Sequence, residues 1–134
     1  MKILIAGGGT LGRELVEALP EHDITLIEVN AQKVKALSQD FGKRKNFKII
    51  EGNASKRYVL KEANLEKQDV FIAVTHDDQV NLFLSLIAKK SGRKAVSRVK
   101  EPEFIPLFQE LGVDAIISPE KQAAMDIASK ITWE

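Results

Sequence analysis

Within its first twelve residues the chain passes from an unbroken apolar run, Ile3-Leu4-Ile5-Ala6, through three consecutive glycines into Thr10-Leu11-Gly12. A short apolar run halted by glycines reads as a strand covered on both faces. Leu11, Leu15 and Leu19 follow at four-residue spacing and read as the apolar stripe of a helix. A strand turning through glycines straight into a helix opens a βα unit, which restricts the chain to folds whose helices cover a parallel sheet. The pattern then recurs. Ile24–Ile27, Phe47–Ile50, Val70–Val74, Ala95–Val99 and Ala115–Ile117 read as further strands. Between them Val34, Leu37 and Phe41 form one helical stripe, and Phe104, Leu107, Phe108 and Leu111 form another that Gly112 closes as a C-cap. Six such alternations predict an α/β fold, a Rossmann-type doubly wound six-stranded parallel sheet with strand order 3-2-1-4-5-6.

A length of 134 residues suits a single domain spanning 1–134. Twenty Lys+Arg against nineteen Asp+Glu leave a formal charge of +1, without the basic excess that a nucleic-acid binder shows. The absence of cysteine excludes disulfides, thiolate chemistry and Cys-ligated metals. The run Lys43-Arg44-Lys45 reads as a solvated turn. Val80–Lys89 is apolar on most sides, a composition that demands cover beyond the sheet and points to a partner chain.

Gly7, Gly9 and Gly12 satisfy G-x-G-x-x-G at the strand-to-helix turn. The first glycine permits the turn, the second lets a pyrophosphate approach the backbone, and the third lets the helix pack close. The N–H groups of Thr10, Leu11 and Gly12, at the positive end of the helix dipole, would hold the phosphates. Glu28 ends the second strand twenty-one residues after Gly7, the spacing at which a carboxylate reaches ribose hydroxyls. A carboxylate there repels a 2′-phosphate, so NAD(H) or a plain adenine nucleotide (AMP, ADP or ATP) is expected in preference to NADP. The same glycines fail as a P-loop, because Arg13-Glu14 stand where Lys and Ser/Thr are needed.

No nucleophile, base and orienting group can be assembled into a catalytic set, and no metal site is expected. Tyr58 and Lys61 are three residues apart rather than four, and Tyr58 reads as a surface or packing residue. His76, Asp77 and Asp78 follow the fourth strand at its carboxyl end, where open α/β sheets place ligands. They read either as a ligand contact or, for the two aspartates and Asp78 above all, as the cap of the next helix. A binding module is therefore expected rather than an enzyme, with a small NAD-dependent oxidoreductase domain as the alternative.

Beyond the glycine motif, the chain resembles the TrkA-N domains, also called KTN or RCK N-terminal domains, of potassium-transport regulators. The resemblance rests on Leu26-Ile27-Glu28, Glu51-Gly52-Asn53-Ala54-Ser55, the run from Asp69 through Phe71-Ile72-Ala73-Val74-Thr75-His76-Asp77-Asp78 to Asn81-Leu82, and Gly112-Val113-Asp114 through Ser118-Pro119-Glu120. It implies that Gly52, Asn53 and Ala54 lie against an adenine, with Asn53 standing where the family usually has Asp. It places Thr75 near ribose and phosphates, and Asp77 and Asn81 on the far side of the pocket. Arg98 matches a basic position and reads as a phosphate contact or a strand-end salt bridge. The family normally adds a C-terminal lobe, which this sequence lacks. The implied function is a cytoplasmic, nucleotide-sensing regulatory subunit working at the inner face of a membrane with an integral-membrane potassium channel or transporter.

Ser118-Pro119-Glu120 reads as a helix start with Ser118 as its cap. Ala124, Ile127, Ala128 and Ile131 then share one face of that helix. Together with Val80–Lys89, this face predicts a two-fold homodimer.

Overall fold

The structure, a computed structural model, describes residues 1–133; Glu134 lies outside the described residues. The first strand, β1 (Lys2–Ala6), shows why the apolar run is unbroken. Ile3 and Ile5 enter the core on one side of the sheet, Leu4 and Ala6 the core on the other, and all four are buried. Helix α1 (Thr10–Ala18) follows directly, then β2 (Asp23–Glu28), α2 (Ala31–Phe41) and β3 (Phe47–Glu51). Next come α3 (Arg57–Glu62), β4 (Val70–Ala73), α4 (Asp78–Lys90) and β5 (Lys94–Arg98). Helix α5 (Ile105–Leu111), β6 (Ala115–Ile117) and α6 (Pro119–Lys130) complete the order.

The strands form one six-stranded sheet in the order β3-β2-β1-β4-β5-β6, with every pairing parallel. This is the predicted architecture. On one face Val16 of α1 and Leu37 and Phe41 of α2 pack on Ile3, Ile5, Ile24 and Leu26. On the other, Val59 and Leu60 of α3 and Leu84 and Ala88 of α4 pack on Leu4, Ile27, Ile50 and Phe71. Each such aliphatic side chain contributes about 1.5–3 kcal/mol by leaving water. Several strands reach one residue past their apolar runs, to Lys2, Asp23, Glu28, Glu51 and Lys94, while β4 and β5 stop one residue short of theirs, at Ala73 and Arg98. A ladder bond needs only backbone, so polar strand ends still pair.

The chain turns back on itself between β3 and β4. Helices leave neighbouring strands β1 and β4 toward opposite faces, which opens a crevice at the carboxyl ends of those two strands. Gly112 adopts the left-handed conformation (φ 81°) at the end of α5, as a C-cap requires.

The structure leaves α4 with the apolar surface that needs further cover, and it changes the expected cap of α6. Helix α4 is not covered all round within one chain, since Phe83 is 45% exposed and Leu86 36%. Ser118 sits at the cap position of α6 but makes no capping bond; its hydroxyl donates to the Val99 carbonyl at 3.3 Å. Helix α6 buries none of its residues, leaving Met125 and Ile127 exposed, with Ile131 exposed just after it. Leu107 on the α5 stripe is likewise exposed, while Phe108 beside it is fully buried. Among the described residues no helix is long and apolar enough to cross a membrane.

Candidate functional site

At the carboxyl end of β1 the chain turns at Gly7 with φ 116°, a backbone that L side chains rarely adopt. Its N–H donates to the Ile27 carbonyl at 3.0 Å, and a Cβ there would stand 2.7 Å from the Val74 carbonyl oxygen. A Cβ on Gly12 would stand 1.9 Å from the Gly7 carbonyl oxygen, so the first turn of α1 can seat on the loop only without a side chain. Gly8 is confined as well, with a Cβ position 2.8 Å from Leu37 Cδ1. The sequence motif assigns Gly8 no role; its place in an unbroken run of three glycines was the available signal.

Gly9 differs from the others. Its φ is −74°, and the nearest atom a Cβ would meet is His76 Nε2 at 3.5 Å. Packing does not require glycine here; the space in front of it does. The first N–H of α1 to bond back is that of Arg13, to the Gly9 carbonyl at 2.9 Å, and no side chain caps the helix. The N–H groups of Thr10, Leu11 and Gly12, in the first turn, are therefore left without an intrahelical partner at the positive end of the helix.

Glu28 ends β2 beside this loop and is only 8% exposed. Its Oε1 accepts the Gly8 N–H and its Oε2 the Asn30 N–H, both at 2.7 Å. The carboxylate is thus held rigidly in a dry position, and each oxygen keeps a second lone pair for another donor. Asn30 accepts the Lys33 N–H at 3.0 Å, starting α2 and fixing the backbone that holds Glu28. The next strand end lies alongside: Glu51 pairs with Glu28, and the Gly52 N–H donates to the Glu28 carbonyl at 3.0 Å. Asn53 is exposed, with its Oδ1 accepting the Ser55 N–H at 2.8 Å, while Ala54 is buried. The turn at 52–54 is thereby ordered within reach of Glu28.

On the other side of the crevice Asn81 is fully buried and uses all its hydrogen-bonding capacity inside the protein. Its Oδ1 accepts the Thr75 hydroxyl at 2.7 Å and the Thr75 N–H at 3.1 Å. Its Nδ2 donates to the carbonyls of Thr75 and Arg98, both at 3.1 Å. Asn81 therefore ties the ends of β4 and β5 together and orients Thr75. The cap of α4 is Asp77, whose carboxylate accepts the Gln79 N–H at 2.8 Å and the Val80 N–H at 3.2 Å. Asp78, expected above all as that cap, instead turns inward and accepts the N–H groups of Lys100 at 2.8 Å and Glu101 at 2.7 Å. A single residue separates the two tasks, and only the N-cap position faces the free N–H groups.

Arg98, at the end of β5, is 15% exposed in its side chain and pairs with Glu120 of α6 at 2.8 Å. Its Nη1 also lies 3.4 Å from His76 Nδ1, and its buried Nε has no partner. The Arg98 guanidinium holds the Glu120 carboxyl below its ordinary pKa, chiefly by that hydrogen bond. Near the opposite end of the sheet Asp114 is lowered too, by the Ala95 N–H first and the Lys89 ammonium second. The thirteen residues expected to form the site thus gather along the carboxyl ends of β1 to β5, whereas Tyr58 lies exposed on α3.

A parallel doubly wound sheet with an uncapped glycine-loop helix and a buried carboxylate on the adjacent strand defines a Rossmann-type nucleotide-binding module. The family model described as the TrkA-N domain matches residues 3–119, and the chain belongs to that family. It is 39% identical, over 137 aligned residues, to a Trk system potassium uptake protein TrkA homolog of Archaeoglobus fulgidus, covering 98% of this chain and 30% of that relative. The chain thus spans about a third of the length of that relative. In fold it is similar to the TrkA-N domain of the inner membrane protein ybaL from Escherichia coli, with TM-score 0.84, 19% identity, and coverage of 97% and 96% of the two chains. It is also similar to the GsuK channel bound to NAD, with TM-score 0.73, 23% identity, and coverage of 87% and 21%. That protein has been solved bound to ADP as well, with TM-score 0.71, 22% identity, and coverage of 87% and 30%.

Proposed function

We propose that this chain is the cytoplasmic nucleotide-sensing domain of a regulator of potassium transport, acting on an integral-membrane channel or transporter without catalysing a reaction. The observation that carries the reading is the pairing of a rigid, dry Glu28 carboxylate with the open backbone at Gly9 and the uncapped start of α1. In this reading the N–H groups of Thr10, Leu11 and Gly12 hold phosphates over Gly7 and Gly9. Glu28 accepts the ribose diol, and Gly52, Asn53 and Ala54 flank the adenine. Thr75 and Arg98 approach the phosphates from the far side, with Asp77 and Asn81 fixing the loop that presents Thr75. NAD(H) is the favoured ligand, with AMP, ADP and ATP sharing the same adenosine contacts.

The unit acts as a homodimer through the apolar faces of α4 and α6, which one chain leaves open. It is a single Rossmann-type domain that works with a further lobe or partner chain. A nucleotide can regulate such an assembly only through unequal affinity for two of its arrangements. Titration calorimetry with NADH, NAD, AMP, ADP, ATP and NADPH tests the ligand. Glu28→Ala is expected to weaken NADH binding by about 1.5–3 kcal/mol, the worth of a charge-assisted hydrogen bond. Unchanged affinity in that variant, or tighter binding of NADPH than NADH, would refute the assignment.

A further inference from the structure

Four groups from distant parts of the chain stand in line across the mouth of the crevice. His76 Nε2 lies 3.5 Å from the Cβ position of Gly9, and His76 Nδ1 lies 3.4 Å from Arg98 Nη1. Arg98 Nη2 in turn donates to Glu120 Oε1 at 2.8 Å. A guanidinium can only donate, so the contact makes Nδ1 the acceptor and puts the proton of the neutral ring on Nε2, the nitrogen turned to Gly9. Helix α6 is otherwise weakly held. Among the described residues, its side-chain ties to the rest of the protein are the Arg98–Glu120 pair and the bond from Ser118 to Val99.

We propose that a phosphate seated at Gly9 competes with Glu120 for Arg98, with His76 as an additional phosphate donor, so that nucleotide binding releases the first turn of α6. The inference rests on the reading of the glycine loop as a phosphate site. Glu120 is a weak holder of Arg98: its side chain is 52% exposed, and it meets a single Nη. A phosphate offers more charge and several acceptor oxygens, and the Arg98 Nε–H has no acceptor. Turning toward the loop therefore exchanges one half-solvated contact for a two-pronged one. Because the competition is reciprocal, anything that removes Glu120 must tighten phosphate binding.

The lone tryptophan, Trp133, lies just beyond α6 and is 85% exposed, so its anisotropy reports the freedom of this helix. The test uses ADP, excitation at a wavelength that ADP does not absorb, and calorimetry on the wild type, Glu120→Gln and Arg98→Gln. In the wild type ADP should lower the Trp133 anisotropy. Glu120→Gln should start at the lowered value, respond no further, and bind ADP about two- to fivefold more tightly, the span of an exposed ion pair. Arg98→Gln should start low as well but bind ADP more weakly. A residue that merely stabilised α6 would not improve ADP affinity on removal. Unchanged or weaker ADP binding by Glu120→Gln, with the wild type binding normally, would overturn the relay and leave the phosphate site standing. Failure of the wild type to bind ADP or any other adenine nucleotide would overturn both.

Discussion

Asn81 offers the sharpest separation between a residue that touches ligand and one that shapes the site. Replacing it by Asp keeps its size and its Oδ1 acceptor but puts a second acceptor where Nδ2 faced two carbonyls at 3.1 Å. The Thr75 carbonyl loses this donor, at about 1–3 kcal/mol for an unsatisfied group, while the Arg98 carbonyl keeps the Ser97 hydroxyl at 3.1 Å. The bonds from the Thr75 N–H and hydroxyl survive, so the net loss is expected at about 1–3 kcal/mol. The new carboxyl is fully enclosed and faces acceptors, which raises its pKa in the folded state relative to the unfolded chain. The folded variant then holds more protons than the unfolded one, so its destabilisation grows as pH rises above about 4, the unfolded value of Asp. Urea unfolding followed by far-ultraviolet circular dichroism measures this directly; Trp133 is too exposed to report on unfolding. ADP affinity at a temperature where the variant is folded should also fall, because the ends of β4 and β5 lose their tie. A loss below about 1 kcal/mol, or a loss independent of pH between 4 and 7, would show that these four bonds do not hold the crevice in shape.

Gly9→Ala should leave thermal stability near that of the wild type, since its Cβ meets only His76 Nε2 at 3.5 Å, yet abolish nucleotide binding by filling the phosphate space. Gly12→Ala, with a Cβ 1.9 Å from the Gly7 carbonyl oxygen, should lose about 1–3 kcal/mol of stability as well as binding; equal melting curves for the two variants would contradict the assigned roles. The folded pKa of Asp114 is lowered, so its contribution is complete above the ordinary Asp value of 3.8 and is lost as pH falls through the depressed one. Asp114→Asn should accordingly show a shallower acid limb in urea unfolding than the wild type. Ile127→Asp puts a charge on the exposed face of α6 and should turn dimers into monomers in sedimentation; a wild type that is monomeric at high concentration would remove the dimer from the mechanism.

The fold was legible because its signal is repeated. Six short apolar runs recur along the chain, the inner strands β1, β2 and β4 burying residues on both faces, and a glycine loop marks the first crossover. Strand order then follows from chain direction and handedness rather than from any single residue. The site was legible where chemistry is tied to backbone position, as with Gly7, Gly12 and Glu28. It was less legible where side chains choose among partners of similar geometry. Asp77 and Asp78 are adjacent carboxylates at a helix start, and the sequence does not say which turns inward to Lys100 and Glu101. Ser118 matches a cap by type, yet a carbonyl from the neighbouring strand end, Val99, takes its hydroxyl. The Arg98–Glu120 pair joins the end of β5 to the first turn of α6, twenty-two positions away, a contact that exists only once the sheet has placed β6 beside β5.

The energetics of that pair constrain how the domain can signal. An ion pair with one half-solvated partner is worth about 0.2–1 kcal/mol, so breaking it in one chain shifts an equilibrium of α6 by at most about fivefold. Moving a two-state population from one extreme to the other requires about 5.5 kcal/mol of differential affinity. A single latch therefore cannot act as a switch by itself. Two copies related by a two-fold axis would double the free energy and square the ratio, to about twenty-five-fold. The larger lever is the apolar face of α6, whose exposed Met125, Ile127 and Ile131 would each gain roughly 1.5–3 kcal/mol on full burial. A nucleotide that changed how α6 is seated would redirect that larger energy, with the Arg98–Glu120 pair setting the bias and the partner surface supplying the force.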